Sequence, residues 1–104
     1  MSVMLEFAMF PTDKGESVSA YVSRIIKTID ESGASYQLTP KGTIVEVETL
    51  EEALAIIRKS YAQLEPDCGR VYSSLKLDIR KGKGGRLTQK IASIEEKIGR
   101  EVRK

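Results

Sequence analysis

The apolar pattern of this chain switches repeatedly between a period of two and a period of 3.6, and that succession constrains the fold more than any single motif does. Val3 to Phe10 is almost continuously apolar and reads as a buried strand stopped by Pro11. After the turn Thr12-Asp13-Lys14-Gly15, Val18, Tyr21, Val22, Ile25, Ile26 and Ile29 mark one face of an amphipathic helix, and Gly33 supplies its stop. Tyr36 to Thr39 is a short strand ending at Pro40, and Gly42 sits in the tight connection to the hairpin partner Thr43 to Glu48. Thr49 and Glu52 match a capping box. The helix they open places Ala53, Leu54, Ile57, Tyr61 and Leu64 on one face and ends before Pro66. Between Arg70 and Arg80, Val71, Ser73, Leu75, Leu77 and Ile79 alternate with polar residues, as in a strand with one buried face. The loop Gly82-Lys83-Gly84-Gly85 leads to a last helix, capped by Thr88, with the stripe Ile91, Ile94, Ile98 and Val102.

The order β-α-β-β-α-β is the ferredoxin-like arrangement, an α+β sandwich, here with an extra C-terminal helix. No linker or low-complexity stretch interrupts it, so residues 1–104 are expected to form a single domain. With 104 residues, 40% of them hydrophobic and 31% charged, the chain can build a core, though one small enough to profit from self-association. A net charge of +2 is too balanced to point to nucleic acid or a membrane surface. The chain has no histidine and one cysteine. A disulfide within the chain, a multi-cysteine zinc site and histidine-based catalysis are therefore excluded. The apolar start is too short to span a bilayer and lacks a basic leader, which makes the cytoplasm the expected compartment.

Strand parity divides the sheet into two faces. The two main helices must cover Val3, Leu5, Phe7 and Met9 with Tyr36, Leu38, Val45, Val47, Leu75, Leu77 and Ile79. The other face then carries Glu6, Ala8, Phe10, Gln37, Thr39, Ile44, Glu46, Glu48, Ser74, Lys76 and Asp78. Carboxylates, an amide, hydroxyls and a lysine among apolar groups suit either a small-molecule site or a subunit contact laced with ion pairs.

Other features carry less. The loop Lys81 to Arg86 lacks the spacing of a phosphate-binding loop and reads as a basic connection. Cys68 lies in a turn with no base to activate it. Glu6 and Glu46 lie on neighbouring strands, but nothing beside them makes an acid–base pair. Tyr21 and Tyr61 fall on apolar helix faces and are expected in the core. Only Phe10 and Tyr72, near strand ends, could stack on RNA bases. No catalytic residue, metal ligand or cofactor is expected.

The run Tyr36-Gln37-Leu38-Thr39-Pro40-Lys41-Gly42-Thr43, followed by Glu46, resembles the thiamine-binding protein family, small proteins formerly grouped as uncharacterised. The stretch Gly15-Glu16-Ser17-Val18-Ser19-Ala20-Tyr21-Val22 and the run Lys76-Leu77-Asp78-Ile79-Arg80, with Lys90, Ser93 and Glu95 beyond it, are similar to it as well. The resemblance covers nearly the whole chain, and the glycine-rich loop after Arg80 departs from it. It implies a ferredoxin-like fold, dimers and tetramers assembled through the sheets, binding of thiamine or its hydroxymethylpyrimidine part, and no catalysis. On that reading the ligand-binding set is Glu6, Gln37, Thr39, Thr43, Glu46, Ser74 and Lys76. Glu46, flanked by Gln37, Thr39 and Ser74, would meet the aminopyrimidine, Glu6 would balance the thiazolium charge, and Lys76 would hold a carboxylate in place. The competing expectation is a regulatory or interaction module whose open face is only a subunit interface.

Overall fold

Odd-numbered residues of the first strand become core because every one of them faces the helices. The computed structural model describes residues 1–82 and Lys97. The expected C-terminal helix and its stripe from Ile91 to Val102 lie outside the described residues. β1 (Ser2–Pro11) buries Val3, Leu5, Phe7 and Met9. Burying each such side chain contributes about 1.5–3 kcal/mol. The strand ends at Pro11 as expected, with Pro11 as its last residue, opposite Val71 and fully buried.

α1 (Ser19–Glu31) buries Ile25 and Ile29 and ends at Ser32, with Gly33 at φ +79° making the left-handed exit. β2 (Ser35–Thr39) and β3 (Gly42–Val47) form the hairpin. α2 (Leu50–Leu64) opens on Thr49, whose hydroxyl oxygen accepts from the Glu52 N–H at 3.1 Å. The Glu52 carboxylate in turn lies 3.1 Å from the Thr49 hydroxyl and accepts from it. β4 (Val71–Arg80) closes the described chain. The sheet order is β2-β3-β1-β4, with every neighbouring pair antiparallel, as the βαββαβ reading requires.

Three expectations about burial need correction, the first being that the helices cover Leu38 of β2, which is instead 58% exposed. α2 turns Ala53, Ile56, Ser60 and Leu64 into the sheet, while Leu54 and Tyr61 stay exposed. The polar Ser60 takes a core position because its hydroxyl donates to the Ile56 carbonyl at 2.7 Å, which removes the cost of burying it. The inward row of β4 has the predicted parity, with Leu75, Leu77 and Ile79 opposite Phe7, Leu5 and Val3. Even so, Leu75 and Ile79 remain 44% and 46% exposed. β4 is an edge strand, and the helix layer contacts mainly β1 and β3.

Candidate functional site

Register fixes how the open face is built. One row across the sheet holds Thr39, Gly42, Ala8 and Ser74; the next holds Gln37, Ile44, Glu6 and Lys76; a third holds Ser35, Glu46, Met4 and Asp78. Glu46 is therefore two rows, about 13 Å along the strands, from Thr39 and Ser74. It accepts a hydrogen bond from Ser2 and borders a hollow between α2 and the end of α1. Glu6 and Glu46 sit in different rows, and Glu46 is not in register with Lys76. Glu6 is opposite Lys76, but these two do not form an ion pair among the described residues. Together with Ser74 and Lys41 they line a shallow hollow of about 130 Å³. Gln37 borders none of these hollows. Phe10 and Tyr72 stack on each other, centroids 5.8 Å apart.

A hollow of about 240 Å³, smaller than the one of about 390 Å³ that Glu46 borders, opens on the other side, between α1 and the β2–β3 hairpin. Val18, Val22, Ile25 and Ile26 of α1 form one wall, and Phe7 and Met9 of β1 line it as well. The hairpin supplies Leu38, Thr39, Pro40, Lys41, Gly42 and Thr43. An apolar lining with a few polar groups is the usual make-up of a small-molecule site.

The hairpin tip is held by its own hydrogen bonds. The Thr39 hydroxyl donates to the Gly42 carbonyl at 2.9 Å and accepts from the Lys41 N–H at 3.2 Å. Gly42 has φ +153°, and a Cβ there would lie 2.7 Å from the Phe7 carbonyl oxygen. Only glycine lets the hairpin come this close to β1. Thr39 is thus engaged in shaping the wall. Thr43 lies opposite Phe7, on the helix side of the sheet, and is 5% exposed. None of the described residues hydrogen-bonds its hydroxyl, and no buried side-chain oxygen is sealed without a partner. The hydroxyl is therefore not sealed, and Thr43 lines the hollow.

Charge at this hollow is one-sided. Among the described residues Lys41 is its one charged lining residue, and none of them brings a carboxylate to the lining. The N-terminus of α1 borders it at Val18, which gives that helix no side-chain cap, so the positive end of the helix dipole lies at the rim.

A clamp beyond α1 holds the wall in place. Arg24 makes two 3.0 Å bonds to the Asp67 carboxylate, lies over the Tyr21 ring at 4.8 Å, and donates to the Gln63 carbonyl. The Arg24 guanidinium holds the Asp67 carboxyl below its ordinary range. Burial, with the charges of Asp67 and Asp13, pushes the Cys68 thiol up, which is the wrong direction for a nucleophile. Among the described residues no group of His, Cys, Asp and Glu could hold a metal ion, and no helix is long and apolar enough to cross a membrane.

Comparison with known proteins points to one family. The profile of a family described as thiamine-binding protein matches residues 5–95. A protein of Methanocaldococcus jannaschii is 33% identical over 94 residues, covering 90% of this chain and 93% of its own. One from Mycobacterium bovis is 30% identical over 95 residues, covering 91% and 93%. A solved M. jannaschii structure superposes with a TM-score of 0.80 at 33% identity, over 91% of this chain and 97% of the other. A Thermotoga maritima structure named as a candidate thiamine biosynthesis or salvage protein matches in fold, with a TM-score of 0.78 at 22% identity, over 90% and 99%.

Strand parity led the sequence reading to the open face. Two stretches that carry the family resemblance, residues 15–22 and 36–43, instead meet at the hollow beside α1. The signal that could have found it is the pair Val18 and Val22, which lie on the flank of the helix facing the hairpin.

Proposed function

The chain belongs to the thiamine-binding protein family, and from that premise we propose that it binds thiamine or the hydroxymethylpyrimidine part of thiamine, without catalysis, in the hollow between α1 and the hairpin. One observation carries this reading: residues 15–22 and 36–43, both of the family type, contribute to the lining of the same apolar hollow. At about 240 Å³ it falls just below the ~300–1,000 Å³ of typical ligand pockets, which suits one substituted aromatic ring better than two linked rings. The Thr43 hydroxyl is the polar group that orients the ring. Val18, Val22 and Ile26 supply apolar contact to its faces and methyl group.

The protein acts as a homo-oligomer in this reading. Among the described residues β4 is an edge strand ten residues long, and its half-exposed Leu75 and Ile79 extend the core surface outward. Such an edge is a template for pairing with a second chain. A second reading places the ligand on the open face. The hollow formed by Glu6, Lys41, Ser74 and Lys76 favours it, because a charged ligand would find both signs there. At about 130 Å³ that site needs a second copy to enclose anything.

The test is calorimetric titration of ligand-stripped protein with thiamine and with hydroxymethylpyrimidine, alongside native mass spectrometry for oligomer mass. Saturable binding of the pyrimidine to each chain of a dimer or tetramer is expected. An oligomer that binds neither compound would leave the interaction-module reading standing, and a monomer would contradict the assembly.

A further inference from the structure

We propose that Lys41 makes this hollow select an anionic ligand, a phosphate monoester of the hydroxymethylpyrimidine, over cationic thiamine. This rests on the binding site proposed above and goes further by naming the charge class of its ligand. The lining sets it. Among the described residues around the hollow, Lys41 alone is charged, and none offers a carboxylate to a thiazolium. Lys41 is exposed, and no carboxylate of the described residues lies within ion-pair distance of it, so its ammonium is available at the mouth. Its backbone is fixed, since the Lys41 N–H donates to Thr39.

In the proposed pose the ring lies on the apolar floor against Thr43 and the hydroxymethyl arm points toward the mouth. A phosphate on that arm meets the ammonium as a charge-assisted contact. The thiazolium of intact thiamine attaches to the pyrimidine through the equivalent carbon, so it is brought to the same mouth and meets a like charge. An opposite charge, Glu6, lines the other hollow that Lys41 borders, where Lys76 stands opposite it. It therefore compensates the mouth of this one poorly.

Calorimetry with three probes tests the proposal: hydroxymethylpyrimidine, its phosphate monoester, and thiamine. The wild type should bind the phosphate ester best and thiamine worst. In Lys41→Met, affinity for the phosphate ester should fall about fivefold, the scale of an exposed charge pair, and that for thiamine should rise, while the uncharged pyrimidine changes least. Lys41→Arg should keep the wild-type order. An unchanged ratio of phosphate ester to thiamine in Lys41→Met overturns the proposal even if all three still bind. Loss of the site itself would look different, because Val22→Phe would then leave all three affinities intact.

Discussion

Val22→Phe should abolish binding of the pyrimidine while leaving the fold in place. Val22 is half-buried on the flank of α1 that faces the hairpin, so a benzyl group there projects into the hollow rather than into the sealed core. The hollow has room for about one ring, and the new ring would occupy it. Displacing the ligand forfeits its apolar contacts and the Thr43 hydrogen bond, a loss of more than ~3 kcal/mol or roughly 100-fold in Kd. Overpacking costs little where a void accepts the added atoms, so the melting temperature should stay within about 5 °C of wild type. Unimpaired binding in a folded Val22→Phe protein would remove the ligand from this hollow.

Gly42→Ala should be the most damaging single-methyl addition in the hairpin. The glycine holds φ +153°, and the added Cβ would meet the Phe7 carbonyl oxygen at 2.7 Å, a backbone atom that cannot swing aside. Relief requires the hairpin to move off β1, against the pairing of Phe7 with Thr43 and of Glu6 with Ile44. The strained conformation and the clash together cost about 2–4 kcal/mol. For a domain of this size that lowers the melting temperature by roughly 10–25 °C, readable by calorimetry. Gly33 offers the contrast. Its φ is also positive, but nothing lies within 4 Å of a Cβ there, so Gly33→Ala should cost less. Equal melting temperatures for Gly42→Ala and wild type would mean that the hairpin does not approach β1 as closely as described.

Element order was legible because each switch of period is marked. Gly33 ends α1, Gly42 begins β3 and Thr49 caps α2, each at or next to its expected place. Burial was less legible wherever hydrophobicity and position part company. Ser60 is core because an i−4 carbonyl takes its proton. Tyr61 and Leu54, one helical position round from the buried row, are left outside. Leu75 and Ile79 read as core from alternation alone, since alternation shows which way a side chain points and not whether a helix lies above it. Parity separates the two faces of the sheet, and the open face stands out in the sequence by its polar residues. The hollow beside α1 is mostly apolar, so its residues looked like ordinary core. Its one inward polar group, Thr43, was named as a ligand residue through the family resemblance and not through the pattern. The separation of Glu46 from Thr39 and Ser74 follows from register, which period-2 counting within each strand does not set.

Amide chemical-shift mapping by NMR, with the hydroxymethylpyrimidine as titrant, locates the ligand. With the ring between α1 and the hairpin, the largest shifts fall on Val18, Val22, Ile26 and the stretch from Thr39 to Thr43. Shifts centred instead on Glu6, Ser74 and Lys76, with the α1 amides unmoved, would contradict it and place the ligand on the open face.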